Sequence, residues 1–217
     1  MQERFLMIFP DRQTAGKMLL PLLEKYKKDP NVVVLGLPRG GVVLAYEIAK
    51  GLNVPLDVIC LRKIGAPHSL ELAIGAIDAS GEGYFNERLI SYLGVSPEYI
   101  QKMVEKEKQV AQKRQDLYRK NLPKLDLEGK TVLLVDDGLA TGATMKAAVS
   151  AVQAAGAERI VVVVPVGPPD TIQELKELAD EVIYLSSPSS FSAVGQFYDS
   201  FDQVEDDEVV KLLHGKS

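Results

Sequence analysis

Short runs of β-branched apolar residues alternate along this chain with longer stretches whose apolar positions repeat at helical spacing. NVVVLGLP (31–38), PLDVICLRK (55–63), KTVLLVDD (130–137), RIVVVVPV (159–166) and DEVIYL (180–185) predict five strands. Helical periodicity falls between them, in GVVLAYEIAKGL (41–52), TMKAAVSAVQAAG (144–156) and DTIQELKELA (170–179). Strands that are apolar throughout, joined by helical crossovers, form a parallel sheet covered on both faces. The expected class is therefore α/β.

Two segments interrupt the alternation. GAPHSLELAIGAIDASGEGYFN (65–86) is glycine-rich around a strand-like centre at Leu72 to Ile77, and reads as a hairpin or mobile excursion. Residues 96–120 read as one long helix, opened by Ser96 as N-cap and Pro97 at the first helical position. Its apolar residues Ile100, Met103, Val104, Val110, Ala111, Leu117 and Tyr118 form a narrow stripe, as for a solvated helix packed along one seam. A contact between two copies of the chain is the next reading.

Net charge and composition narrow the function classes. A balance of 25 basic against 30 acidic side chains, net -5, gives no global basic field for nucleic acid. The helix at 96–120 is the local exception: Pro97 to Lys120 carries seven basic and four acidic residues. The tail has six acids and no base from Asp199 to Glu208, yet its aromatics Phe197, Tyr198 and Phe201 suggest that it docks. Neither a signal-peptide pattern nor a run of ~18 apolar residues occurs, so a single cytoplasmic, non-membrane domain is expected. The single Cys60 lies in an apolar run and reads as a buried structural thiol.

The chemistry concentrates in VLLVDDGLATGAT (132–144). A strand ending at Asp136 and Asp137, a turn at Gly138 and a helix starting near Thr144 leave several backbone N–H groups at a helix N-terminus. Those donors and the helix dipole make an anion site. Gly138, Ala140, Gly142 and Ala143 keep the loop thin, and Thr141 and Thr144 add hydroxyls. No GxxxxGK[ST] or GxGxxG occurs, which excludes the common nucleotide loops. Carboxylates beside a phosphate must meet another part of the ligand, and a sugar diol fits because its hydroxyls donate to carboxylates. The pattern thus suits a ribose 5-phosphate held end to end. A second anion-ready corner lies at Arg39-Gly40-Gly41, where a strand runs into a helix and Arg39 can donate bidentately.

The thirteen residues VLLVDDGLATGAT resemble the phosphoribosyl-pyrophosphate signature of the type I phosphoribosyltransferases. Finer likeness, in FPDRQTAGKMLLPLL, PRGG, RKIGAP…ELAIGAI and AVGQFYDSFDQVEDDEV, extends over the whole chain to a bacterial and archaeal group of that family. The resemblance implies a central parallel five-stranded sheet flanked by helices, with a flexible hairpin loop (about 63–86), an inserted helical segment (about 87–120) and a small hood from about 1–12 and 186–217. It implies that Asp136 and Asp137 hold the ribose hydroxyls, that Gly138 and Ala140 to Thr144 hold the 5-phosphate, and that Arg39-Gly40-Gly41 holds the pyrophosphate. Arg62 and Lys63 match an Arg-Lys pair of the family's catalytic loop, where they neutralise the leaving group; His68 and Glu71 are undecided. The implied reaction is Mg²⁺-dependent transfer of phosphoribosyl to a nitrogenous, nucleobase-like acceptor in nucleotide salvage, with Mg²⁺ carried by the substrate and Asp136 and Asp137 its candidate protein ligands. VPVGPPD (164–170) and residues 189–201 would line the acceptor site, with Phe197 and Tyr198 either stacking on a base or packing in the core. A homodimer fits the family's habit. The alternatives are a phosphoribosyl-pyrophosphate-sensing regulator that binds nucleic acid without turnover, and a hydrolase or synthase-like enzyme.

Overall fold

The computed structural model describes residues 7–215, without the side chains of Leu70 and Glu71. The first six residues of the expected hood and the question of Glu71 therefore lie outside the described residues.

Five strands form the central sheet: β1 (Val32–Gly36), β2 (Leu56–Val58), β6 (Thr131–Val135), β7 (Arg159–Val166) and β8 (Glu181–Ser186). Their order is β2-β1-β6-β7-β8 and every pair is parallel. Side chains alternate across such a sheet, and the helices divide accordingly. On one face, α1 (Arg12–Leu23) and α2 (Gly40–Leu52) bury Leu19, Leu23, Leu44, Ile48 and Leu52 against Val32, Val34, Leu133 and Val135. On the other, α5 (Ala143–Ala154) and α6 (Pro169–Lys176) bury Met145, Val149, Ile172 and Leu175 against Val33, Leu35, Val132, Leu134 and Val162. The α/β class and the five parallel strands expected above are present. The helix α1 was not foreseen: Asp11 caps it by accepting from the Thr14 amide at 2.6 Å, and Gly16 lets its backbone approach Leu44.

The run 55–63 does not stay in one strand. Pairing with β1 ends where the Ile59 amide donates to the Gly36 carbonyl, and the chain then leaves the sheet. It enters a second, antiparallel sheet of β3 (Arg62–Ala66), β4 (Ser69–Ile77) and β5 (Gly83–Phe85). This glycine-rich excursion has its own core. Ile64, Ile74 and Ile77 pack with Ile90 of α3 (Glu87–Leu93) and with Ile100, Met103 and Val104 of α4 (Pro97–Tyr118).

The seam of α4 differs from the predicted stripe. Val110 and Leu117 are exposed, while Glu107, Ala111 and Tyr118 are buried. At its far end Arg119 grips Asp57 of β2 with bonds of 2.7 and 3.0 Å, a bidentate pair with planar geometry. The tail ends in α7 (Asp206–Leu213), whose Val209 packs with Val42, Val43, Cys60 and Tyr118. Cys60 is buried there, and burial pushes its thiol up to about 12, which keeps it unreactive. No helix among the described residues is long and apolar enough to cross a membrane.

Candidate active site

The carboxyl ends of β1 and β6 lie side by side, with Gly36 opposite Val135. From β1 the order runs to β2 on one side and to β6, β7 and β8 on the other, so the crevice between β1 and β6 is a topological switch point. Open α/β sheets bind ligands in that position. Both sequence motifs leave their strands here.

At the first corner the Leu37 amide donates to the Val135 carbonyl at 2.9 Å, and the chain turns through a cis Pro38–Arg39 peptide into α2. Its glycines are dictated by what they touch. A Cβ on Gly40 would lie 1.9 Å from Asp137 Oδ2, and one on Gly41 would lie 2.8 Å from Asp136 Cα. The start of α2 is thus pressed directly against the acidic pair. The Arg39 side chain turns outward, donating to Glu205 at 3.3 Å, with Asp206 at 3.9 Å.

At the second corner the Leu139 side chain anchors in the core and its amide donates to the Val166 carbonyl at 2.9 Å. The loop then rises through Gly142, at φ 71°, into α5. The first bond across this turn runs from the Lys146 amide to the Gly142 carbonyl at 2.9 Å, so the amides ahead of it have no acceptor within the helix. Gly138, Ala140, Thr141, Gly142, Ala143 and Thr144 line a cavity of about 190 Å³ together with Asp136, beneath Val194. A dihydrogen phosphate-sized group fits a cavity with helix-N-terminal donors and two hydroxyls.

The acidic pair sits between these corners. Asp136 Oδ1 accepts from the Asp137 amide at 2.9 Å. Burial, and then the charge of Asp137, holds the Asp136 carboxyl well above the ordinary aspartate range. Burial raises Asp137 as well, and Arg12 opposes that rise. Arg12, absent from the residues singled out in the sequence, donates from Nε to Asp137 Oδ2 at 2.7 Å. Tyr198 donates its hydroxyl to the Asp137 carbonyl at 2.6 Å, and burial pushes that phenol far up. Its ring lies between Phe9 and Phe201, at 5.4 and 4.9 Å. Phe197 is fully buried, so both aromatics are core residues facing the sheet. The two ends of the described chain meet here, through bonds between Phe9 and both Phe197 and Asp199.

The antiparallel sheet closes a further side of the site. Successive strand residues face opposite ways, and Arg62 and Lys63 do so on β3. Arg62 Nε donates to buried Glu107 of α4 at 2.8 Å. Lys63 instead lines a cavity of about 310 Å³ with Tyr84, Asn86, Thr141, Thr144 and Lys146. Lys146, also unforeseen, pairs with Glu174 and stands 5.7 Å from the Tyr84 ring centroid. His68 is exposed at the turn between β3 and β4. The structure therefore brings together Asp136, Asp137, Gly40, Gly41, the loop 138–144 and Lys63, while Arg62 and Arg39 point to partners outside. One signal for Glu107 was in the sequence: an acid four residues after Met103 and four before Ala111, within the apolar seam. Arg12 had only the helix-start pattern around Asp11.

Comparison with known proteins shows the family. Residues 15–201 match the model of the phosphoribosyl transferase domain. A Mycobacterium tuberculosis H37Rv protein named "Putative phosphoribosyl transferase Rv0571c" is 42% identical over 206 residues, covering 95% of this chain and 46% of its own. The same figures hold for MT0597 of strain CDC 1551, so the chain spans about half the length of these curated relatives. The crystal structure of TT1426 from Thermus thermophilus is similar at 42% identity and a TM-score of 0.84, covering 97% of this chain and all of that one. With the family model spanning most of its length, the chain belongs to the phosphoribosyl transferase domain family.

Proposed function

We propose that the protein transfers the 5-phosphoribosyl group of phosphoribosyl pyrophosphate to a nitrogenous, nucleobase-like acceptor and releases pyrophosphate, a salvage reaction. The observation that carries this reading is the acidic pair wedged between two anion-ready corners at adjacent strand ends. The loop 138–144 and its cavity take the 5-phosphate. Asp136 and Asp137 accept from the ribose hydroxyls, and the Arg39-Gly40-Gly41 corner takes the pyrophosphate. Arg39 then exchanges its exposed contact with Glu205 for the ligand.

In the reaction the bond from the ribose C1 to pyrophosphate breaks and positive charge builds on the ring. Pyrophosphate takes that bond's electron pair, and the acceptor nitrogen attacks the same carbon and passes its proton to a carboxylate of the pair or to water. Buried carboxylates next to the ring favour its charge, because the local dielectric is low. Lys63, on the wall formed by β3, neutralises charge on the departing group, and Arg62 holds that wall to α4 through Glu107. The wall and the hood exclude water that would otherwise hydrolyse the ring cation.

Mg²⁺ binds through one or two carboxylates together with substrate phosphates, and Asp136 and Asp137 beside the pyrophosphate corner fit that pattern. Among the described residues no group of three or more His, Cys, Asp or Glu is placed to cage a metal, so the ion would come with the substrate. Bound there, it would supply charge neutralisation for the leaving pyrophosphate.

The test is a screen of purine and pyrimidine bases with phosphoribosyl pyrophosphate and Mg²⁺, following pyrophosphate release. Base-dependent release is expected, and it is abolished by Asp136→Asn with Asp137→Asn. Release without any base favours hydrolysis. A salt-sensitive shift of RNA or DNA with no turnover favours the regulator.

A further inference from the structure

Arg12 opens α1 on the far side of the sequence from the acidic pair, yet its guanidinium is fixed by three contacts at the centre of the site. Nε donates to Asp137 Oδ2 at 2.7 Å, and Nη1 donates to the Asp202 carbonyl at 2.7 Å. The guanidinium carbon lies 3.8 Å from the centroid of the Phe201 ring. The pair is nearly enclosed, with side-chain exposures of 12% for Arg12 and 15% for Asp137. Tyr198 holds the backbone of the same aspartate. Asp137 is thus clamped at both its carboxylate and its carbonyl by the two ends of the chain. Asp136 is differently supported, its Oδ1 bonding the next amide.

A carboxylate accepts at about four lone-pair sites. Arg12 occupies one on Oδ2, which restrains the side chain's rotation and leaves further acceptor sites on the carboxylate. We propose that Arg12 is a positioning residue that sets the Asp137 carboxylate for the ribose hydroxyls, an inference that rests on the phosphoribosyl reading above. The planar fork does this better than a lysine would, because it bonds Asp137 and Asp202 at once and stacks on Phe201. The competing role is direct contact with pyrophosphate, since Arg12 Nε stands 2.8 Å from the place a Gly40 Cβ would occupy.

Calorimetry with two half-ligands separates these roles. Ribose 5-phosphate in metal-free buffer probes the diol and phosphate, and pyrophosphate in the same buffer probes the other corner. Arg12→Gln is expected to weaken ribose 5-phosphate about 10–100-fold, by analogy with the loss of a residue that orients a metal ligand. Asp137→Asn should lose as much, and the double variant no more than Asp137→Asn alone, because both act through one contact. Pyrophosphate affinity should stay unchanged in Arg12→Gln. Arg12→Lys should recover part of the loss, and in turnover the KM for phosphoribosyl pyrophosphate should rise more than kcat falls. Should Arg12→Gln fail to fold, Arg12→Lys against Asp137→Asn carries the same cycle. The proposal is overturned if Arg12→Gln loses pyrophosphate but keeps ribose 5-phosphate, or if the two losses add. Wild-type protein that binds neither ribose 5-phosphate nor phosphoribosyl pyrophosphate would overturn the underlying reading itself, a result visible before any variant is made.

Discussion

The crevice between β1 and β6 and the wall of β3, β4 and β5 face the same ligand space but are built on opposite terms. In the crevice the main chain does the positioning. Two parallel strands in register deliver Gly40, Gly41, Asp136 and Asp137 to one place, and the approach is so close that only glycine fits. In the wall, side chains do it: a cluster of Ile64, Ile74, Ile77, Ile90 and the inner residues of α4 holds a twisted three-stranded sheet against α5. The helix α4, an unexplained insert in the sequence, is the backing of that wall. The two designs fail differently, and each variant below exploits that.

The largest effect belongs to the crevice. Gly40→Ala places a methyl 1.9 Å from Asp137 Oδ2 and 2.8 Å from Arg12 Nε. Neither group can give way cheaply, because Asp137 is held by Arg12 and Tyr198. Binding of phosphoribosyl pyrophosphate should fall beyond detection by calorimetry, with an overpacking cost of about 1–3 kcal/mol in denaturant unfolding. Wild-type affinity in Gly40→Ala would show that the corner is not closed against the acidic pair.

Effects in the wall are intermediate and divide by face. Lys63→Ala should lower kcat about 100-fold, as for loss of one group stabilising the leaving charge. Arg62→Ala should lower kcat and the midpoint together, because it leaves Glu107 a buried carboxylate without its partner. Adding Glu107→Leu should then restore the midpoint, since an apolar residue suits the seam between Met103 and Ala111. Loss of turnover at full stability in Arg62→Ala, unrepaired by Glu107→Leu, would instead mean that Arg62 reaches the pyrophosphate itself.

The same contrast explains what could be read from the sequence. Strands apolar on both faces and a thirteen-residue strand–loop–helix pattern are local signals, and they located β1, β6, the acidic pair and both corners. Contacts between distant segments leave no such trace. Nothing in the spacing of Arg12 and Asp137, 125 residues apart, announces their pair. Nothing near Arg62 says that α4 offers it Glu107. The run 55–63 reads as one strand because hydrophobicity does not reveal where β2 stops pairing and β3 begins. Tyr198 and Phe197 could each have faced a base or the core; only the meeting of the two chain ends places both inside.

The smallest effect is also the most diagnostic of the crevice. Asp136 is held well above the ordinary aspartate range by burial and by Asp137, whereas an unfolded aspartate titrates near pH ~3.9. Between that value and the raised folded one, the native state binds more proton than the unfolded state, so stability falls as pH rises. Asp136→Asn cannot ionise, and its amide oxygen can still accept from the Asp137 amide. In chelated, ligand-free buffer it should match wild type near pH ~4 and become progressively more stable than wild type as pH rises toward neutrality. Urea midpoints at both pH values measure the gap, and equal midpoints throughout would mean that the pair ionises without cost. Glu107→Gln in the wall should do the reverse. It removes the partner of Arg62, leaves the seam polar, and lowers stability at neutral pH. A carboxylate whose neutral replacement stabilises the empty protein while abolishing ligand binding is kept for the ligand, and one whose replacement destabilises it is kept for the fold.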